Sequence, residues 1–238
     1  LMPKEMTVIG ARPSIGKTAL ALQVALHAAM NDCPALFVSA EMGKEELSKR
    51  AVSMLTGIPF ATLRGDAVSD DHGREAIIEA RKRLGQAKLL IVDNVRNSMD
   101  IFHLASGCAK EKGIRLIVVD YVQLLDFSKN VDNRNLQVGA ISRAMKTLAV
   151  ETGCAVILLS QLNRQSERSG SGKPILADLR DSGSIEQDAD VVWLLHRDKD
   201  EYRGETKTTV YLQVAKNRNG PTSDPMPIWF HGPTMSFR

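Results

Sequence analysis

The sequence predicts an α/β protein: a mostly parallel central sheet flanked by helices on both faces, with antiparallel strands at the C-terminal end. Three observations predict it. Short apolar runs alternate with amphipathic segments of helical length. Two of the runs, LIVV at Leu116–Val119 and AVILL at Ala155–Leu159, are apolar throughout, as strands buried on both faces are. In the last third the spacing shortens to strand-like runs joined by brief turns, the pattern of hairpins extending a sheet.

The elements follow in order. Glu5–Gly10 (EMTVIG) reads as the first strand, and Lys17–Met30 as a helix with Leu20, Val24 and Ala28 on one stripe. Ala35–Ser39 is a second strand. A helix from Lys44 to Leu55 stops at Gly57-Ile58-Pro59, and another covers Asp70 to Leu84. Leu89–Val92 is a third strand, and a helix from Asn97 to Lys112 is closed by Gly113. After Leu116–Val119 comes a polar loop, Asp126–Asn135. A long amphipathic helix, Asn135–Glu151, then turns Val138, Ile141, Met145 and Leu148 inward. Beyond Ala155–Leu159, Asn163–Pro174 (NRQSERSGSGKP) is rich in Ser, Gly and charge and reads as a mobile loop. Val191–Leu195, Thr208–Ala215 and Met226–Phe230 are the closing strands.

Composition narrows the class. Of 238 residues, 43% are hydrophobic and 25% charged, a balance that supports a packed core and excludes a disordered chain. No apolar run reaches the ~18 residues of a membrane span, and residues 1–10 carry no basic, cleavable leader. Cys33, Cys108 and Cys154 are far apart and form no CxxC pair, so they read as buried hydrophobes in a reducing compartment. The net charge of +3 is too small to argue for nucleic acid by itself, so any such case rests on local loops.

The chemistry concentrates after the first strand. Ala11-Arg12-Pro13-Ser14-Ile15-Gly16-Lys17-Thr18 is a Gly/Ser/Pro turn running into a helix that opens with Lys-Thr, the context of a phosphate-binding P-loop. Such a turn aims backbone N–H groups inward, and the helix N-terminus adds partial positive charge. Lys17 supplies a point charge for the β- and γ-phosphates, Thr18 a hydroxyl for Mg²⁺, and Gly16 permits close backbone approach. The generic motif has glycine where this chain has Ala11.

Polar groups at other strand ends complete a site, because parallel sheets bind ligands at the carboxyl ends of their strands. Asp120 follows LIVV and suits a Walker-B acid of the Mg²⁺ shell; Asp93 ends a strand too and is its rival. Glu41 lies two residues past the second strand, where a carboxylate can deprotonate an attacking water. Gln161, two residues past AVILL, can sense a γ-phosphate. Arg164, Arg168, Lys173 and Arg180 cluster after that strand, and backbone N–H groups at Ser182–Ser184 are candidate phosphate donors; a solvated, charged, flexible loop is the alternative reading of the same residues. The cluster lacks aromatics for base stacking. Lys216 and Arg218 alternate on one strand, with no acid of the chain evident as their partner. The five histidines show no ligand spacing and read as surface or satisfied core residues, and Trp193 and Trp229 sit in apolar strands and read as core.

Seven segments together resemble the motor domain of DnaB-type replicative hexameric helicases: ARPSIGKTALAL (11–22), SAEM (39–42), IVVDYVQLL (117–125), ISRAMKTLA (141–149), LLSQLNR (158–164), DLRDSGSIEQDADVV (178–192) and AKNRNGPT (215–222). Their order and spacing span almost the whole chain, and the family tolerates alanine at the position of Ala11. The resemblance implies a RecA-like P-loop fold over residues 1–238 as one ATPase domain, with ATP and Mg²⁺ as cofactors. It implies the whole 11–18 loop, Lys17 and Thr18 included, as the nucleotide cradle, with Thr18 and Asp120 on the metal. Glu41 becomes the catalytic base and Gln161 the coupling sensor. Lys216 and Arg218 would reach the γ-phosphate of an adjacent subunit, Arg218 as arginine finger. Arg180, Asp181 and Gly183, with Arg164, would touch single-stranded DNA.

Further implications are a hexameric ring, 5′ to 3′ translocation, a primase and a helicase loader as partners, no membrane, and a bacterial cytoplasm or nucleoid, in a cell or its phage. The family has glutamate where this chain has Asp181, and an N-terminal domain and linker helix ahead of the motor that this chain is expected to lack. Two other readings share the loop: a RecA-like recombinase filament, and an ATP-gated assembly module. SAEM and DLRDSGSIEQDAD argue against the first, and the joint presence of Glu41 and Arg218 against the second.

Overall fold

In the computed structural model the described residues are 1–65, 68, 70–127, 133–162, 173–202 and 205–238. The expected alternation is present. Strands β1 (Met6–Ala11), β2 (Ala35–Ser39), β3 (Leu89–Asp93), β4 (Leu116–Asp120) and β5 (Ala155–Gln161) alternate with helices α1 (Lys17–Met30), α2 (Lys44–Thr56), α3 (Phe60–Arg64), α4 (Asp71–Gln86), α5 (Ser98–Lys112) and α6 (Arg134–Thr152). A 3₁₀ turn at Leu176–Ser182, α7 (Gly183–Asp188), β6 (Val191–Tyr202), β7 (Glu205–Asn217) and β8 (Met226–Ile228) follow, and β9 (Phe230–His231) and β10 (Ser236–Phe237) form a small separate pair.

The sheet runs β3-β2-β4-β5-β1-β6-β7-β8. Pairing is parallel from β3 through β6, and antiparallel from β6 to β7 and β7 to β8. Strand alternation sorts the core into two layers. Met6, Val8, Leu36, Val38, Ile117, Val119, Val156 and Leu158 face α5 and α6, where Ile101, Ala105, Val138, Ile141, Met145 and Leu148 meet them. Ile9, Phe37, Val118, Ile157 and Leu159 face α1, where Ala19, Leu22, Ala25 and Ala29 meet them. The inward stripe expected of α6 is therefore the observed one. That of α1 is displaced: Leu20, Val24 and Ala28 lie on its half-buried flank, and small residues face the sheet, letting the helix pack closely.

Glycine ends three helices, two of them where the sequence signals it. Gly57, Gly113 and Gly153 take left-handed φ values of 76°, 65° and 73°. The first two closing strands are longer than expected, because β6 and β7 form a hairpin registered from Val191↔Asn217 to Tyr202↔Glu205, whereas the third, expected at Met226–Phe230, is cut to Met226–Ile228, with Phe230 in the separate pair. Three expectations need correction. The sequence reading lacks α3, which is only five residues long. It lacks the 3₁₀ turn and α7, whose residues carry no helical period. It also sets Trp229 in the core, whereas the side chain is 54% exposed, with the Arg238 guanidinium 5.2 Å from its ring centroid. Of the loops expected at Asp126–Asn135 and Asn163–Pro174, residues 128–132 and 163–172 lie outside the described residues, Arg164 and Arg168 among them.

Candidate nucleotide site

Strand β1 ends at Ala11, and the chain turns at Pro13–Gly16 before α1 begins at Lys17. Gly16 takes φ 112°, a conformation closed to most side chains. A Cβ there would come within 3.0 Å of Phe237 Cζ, so Gly16 is required by both its backbone and its neighbour. Gly10 is tight as well: a Cβ would meet Leu162 and Leu194 at 3.0 Å.

The turn borders a pocket of roughly 480 Å³. Ala11, Arg12, Pro13, Ser14, Gly16, Lys17 and Thr18 line one side of it, and Glu41, Arg50, Tyr121 and Gln161 come from other elements. Parallel pairing explains the convergence. Ser39 is registered with Asp120, and Ala11 with Gln161, so the carboxyl ends of β2, β4, β5 and β1 lie level. The C-terminal segment adds Phe230, Gly232 and Met235.

Thr18 Oγ1 donates to Asp120 Oδ2 at 2.7 Å, while Asp120 Oδ1 is buried with no hydrogen-bond partner among the described residues. A hydroxyl beside a buried carboxylate with one free oxygen fits a hard divalent cation. Burial pushes the Asp120 carboxyl above its usual value, against the pull of Lys17 and the Thr18 hydrogen bond. Burial also lowers the Lys17 ammonium, against the pull of Asp120 and Glu41. Both shifts express the cost of holding charge out of water; a cation in the pocket would offset the first and an anion the second. The Lys17 ammonium lies 4.1 Å from the Tyr121 ring centroid. Asp93, the rival acid, instead accepts from Lys44 N–H at 2.9 Å and caps α2.

Lys216 and Arg218 lie elsewhere. Arg218 donates to Asp190 Oδ1 at 2.9 Å and to the Gln187 carbonyl at 3.2 Å, and Lys216 donates to the Glu186 carbonyl. The sequence reading gives them no partner in the chain, and that is corrected: α7 and Asp190 receive them, and the element that carries these receptors has no periodic signal. Asp190 is only 4% exposed and also accepts from Lys146 at 2.6 Å and Met6 N–H at 2.8 Å. Burial, and then the Arg218 charge, push the Lys216 ammonium below its usual value. Met6 opens β1 and Ala11 closes it, so the Arg218 cluster and the loop sit at opposite ends of one strand, roughly 17 Å apart at ~3.3 Å per residue.

Arg180, Asp181 and Gly183 fall on the 3₁₀ turn and the first residue of α7. His196 is not a satisfied core residue. It is 5% exposed, stacks on Tyr211 at 5.3 Å, and has no hydrogen-bond partner among the described residues on either ring nitrogen. Seven pocket residues escape the sequence reading: Ala19, Met42, Arg50, Tyr121, Phe230, Gly232 and Met235. Ala19, Met42 and Tyr121 are signalled by their places next to Thr18, Glu41 and Asp120; the other four arrive from α2 and the chain's end with no local motif.

A glycine-bent loop feeding Lys-Thr into a helix, with an acid from β4 against the threonine, on a mostly parallel sheet, is the arrangement of a P-loop protein of RecA-like architecture. Comparison with known proteins takes the assignment further. The family model of the DnaB-like helicase C-terminal domain matches residues 1–238. The replicative DNA helicase DnaB of Leifsonia xyli subsp. xyli is 42% identical over 231 residues, which cover 93% of this chain and 49% of that protein. A solved DnaB-like replicative helicase, described with its interactions with primase, superposes with TM-score 0.90 at 32% identity, over 99% of this chain and 57% of that one. A second solved structure, described as an ATPase domain, gives TM-score 0.91 at 33% identity, over 100% of this chain and 85% of that one. The chain belongs to the DnaB-like helicase C-terminal domain family, and it spans about half the length of the curated relatives it matches.

Proposed function

We propose that residues 1–238 are the ATP-hydrolysing motor of a replicative DNA helicase, working as one ATPase domain within a ring of identical subunits. The observation that carries this is the division of the machinery. Lys17, Thr18, Glu41 and Gln161 line one pocket, with Asp120 buried behind it and bonded to Thr18, while Arg218 is held at the opposite end of β1. An arginine so placed cannot serve its own site, but it can serve another copy's.

The residues then divide the work. The 11–18 backbone and Lys17 hold the triphosphate, and Glu41 accepts the proton of the attacking water. Thr18 and the free oxygen of Asp120 would hold Mg²⁺, which when bound neutralises phosphate charge. Gln161 senses the γ-phosphate and leads directly into the segment that carries Arg164. Lys216 and Arg218 stabilise transition-state charge in the next subunit, a device worth about 10³–10⁵ in rate where it is used.

Arg164, Arg180, Asp181 and Gly183 contact single-stranded DNA through its phosphates, and the motor moves along it 5′ to 3′. Family membership supports this reading, as does the description of the solved relative for primase as a partner. A loader is the second partner expected. The replicative helicases similar to this chain include bacterial ones, and the work proposed belongs in a bacterial cytoplasm or nucleoid. Among the described residues no helix is long and apolar enough to cross a membrane.

Steady-state ATP hydrolysis, with and without single-stranded DNA and across protein concentration, tests it, with Lys17→Ala as control. A rate that rises with DNA and more than linearly with protein is expected. Turnover strictly proportional to protein and indifferent to DNA, in a preparation shown to be hexameric, refutes the trans-acting motor.

A further inference from the structure

Strand β5 outruns its neighbour. The β4–β5 ladder registers Leu116↔Ala155 through Val119↔Leu158, and β4 ends at Asp120 while β5 continues to Gln161. On its other side β5 stays paired to β1 through Ala11↔Gln161. The last residues of β5 therefore lack a strand on the β4 side, and their backbone groups need another partner.

One side-chain amide supplies it. Gln123 Oε1 accepts from Gln161 N–H at 3.0 Å, and Gln123 Nε2 donates to the Gln161 carbonyl at 3.0 Å and to Ser160 Oγ at 3.0 Å. The amide exchanges both bonds with one residue, as a paired strand would. It fixes the backbone of the pocket residue Gln161 from the side opposite β1.

Gln123 is also tied to the pocket and to α6. It lies in a 3₁₀ turn, Val122–Leu124, directly after Asp120 and Tyr121, which meet Thr18 and Lys17 respectively. Val122 is fully buried and anchors the turn. The Gln123 carbonyl accepts from Arg134 Nη2 at 2.6 Å, and the same nitrogen donates to the Leu125 carbonyl at 3.1 Å. Arg134 is the first residue of α6. Further along α6, Gly139 sits so close to α7 that a Cβ would fall 2.6 Å from Ser184 Oγ. A shift of α6 therefore has no slack to absorb it before α7.

We propose that Gln123 is a positioning residue that couples the state of the nucleotide pocket to Gln161 on one side and to α6 on the other. This rests on the reading of the pocket as an ATP site. Gln123 touches no reacting atom; it converts a displacement at Asp120–Tyr121 into a displacement of two separate elements.

Gln123→Met keeps the length of the side chain and removes all three amide hydrogen bonds. Gln123→Glu keeps the acceptor for Gln161 N–H and sets a carboxylate against the Gln161 carbonyl. The measurements are the affinity for a fluorescent ADP, kcat and KM for ATP, thermal stability, and hydrogen exchange in peptides 133–142 and 155–162 with and without a non-hydrolysable ATP analogue. Both variants should hold ADP affinity and KM near the parent values, while kcat falls roughly 10- to 100-fold through misplacement of Gln161. In the parent, the analogue should change exchange in peptides 133–142 and 155–162; in both variants the change in 133–142 should vanish. Arg134→Met should lose the change in 133–142 alone and keep that in 155–162.

Parent-like kcat and exchange in a folded Gln123→Met overturns the proposal, and so does a loss of melting temperature with kcat intact. Should Gln123→Met not fold, Ser160→Ala removes one of the three bonds, and Gln123→Glu removes the one to the Gln161 carbonyl, since its carboxylate can still accept from the Ser160 hydroxyl. Parent-like kcat and exchange in both would be equally fatal. A parent that binds no ADP removes the ATP-site reading and this proposal with it, and that result is seen before any variant is made.

Discussion

Asp190→Ala should destabilise the protein far more than Arg218→Ala, although the two residues form one ion pair. The asymmetry follows from burial. Asp190 is 4% exposed and accepts from three donors: Lys146, Arg218 and the Met6 N–H at the start of β1. Its removal strands a fully buried backbone amide, at about 1–3 kcal/mol, and discharges two charge-assisted bonds. Breaking a buried pair from its buried side costs roughly 3–5 kcal/mol in all. Arg218 is 50% exposed, so its loss returns one partner to water and leaves Asp190 with Lys146; about 1 kcal/mol or less is expected. For a chain of 238 residues, at ~2–4 °C per kcal/mol, this is a fall in melting temperature of ~6–20 °C against one of a few degrees. Urea unfolding at unchanged m-value is the assay. Equal losses in the two variants would refute the argument that Lys146 holds the carboxylate when Arg218 leaves. That argument matters to the proposed mechanism, in which a finger that swings to another subunit must not orphan a buried charge each time.

Two further outcomes follow from the site and its surroundings. Glu41→Gln should bind ADP and ATP as the parent does and lose at least ~10²-fold in kcat, measured by single-turnover hydrolysis; parent-like turnover would exclude Glu41 as base. His196 should make the protein acid-sensitive. Burial lowers its pKa from 6.5, and of the groups facing it Asp198 opposes that shift while Lys173 and Arg12 reinforce it. The unfolded chain then binds the proton more readily, so stability is full above pH 6.5 and is lost as pH falls toward the lowered folded value. The melting-temperature deficit of the parent relative to His196→Phe should therefore widen between about pH 8 and pH 5.5, and a constant difference would contradict the assignment.

What is legible in the sequence, and what is hidden, divide along a physical line. Strands buried on both faces announce themselves as unbroken apolar runs, and β4 and β5 match the runs LIVV and AVILL to within a residue or two. Helices closed by glycine do so as well, since Gly57 and Gly113 do what no other residue does cheaply there. The loop and the strand-end polar groups are legible because a parallel sheet converts order along the chain into adjacency in space. Nothing comparable marks Arg50, Phe230 or Met235, which reach the pocket through tertiary packing of α2 and the C-terminal segment. Asp190 is hidden for a related reason: in the string QDAD it looks like one more surface acid, and only the pairing of β6 beside β1 buries it.

Gln123 shows the same limit from the other direction. Its place in IVVDYVQLL is visible, but its work depends on a difference in length between two neighbouring strands. β4 has five residues and β5 has seven, and that mismatch creates the unpaired edge the amide fills. A pocket residue whose backbone is held by an ordinary ladder would move only with the whole sheet. Gln161 is held on one side by β1, beside the 11–18 loop, and on the other by a side chain from the turn that follows Asp120. At the end of β5 a local rearrangement at the acid can thus be felt without melting a strand. It is also where the chain leaves the pocket toward the basic segment that begins at Arg164.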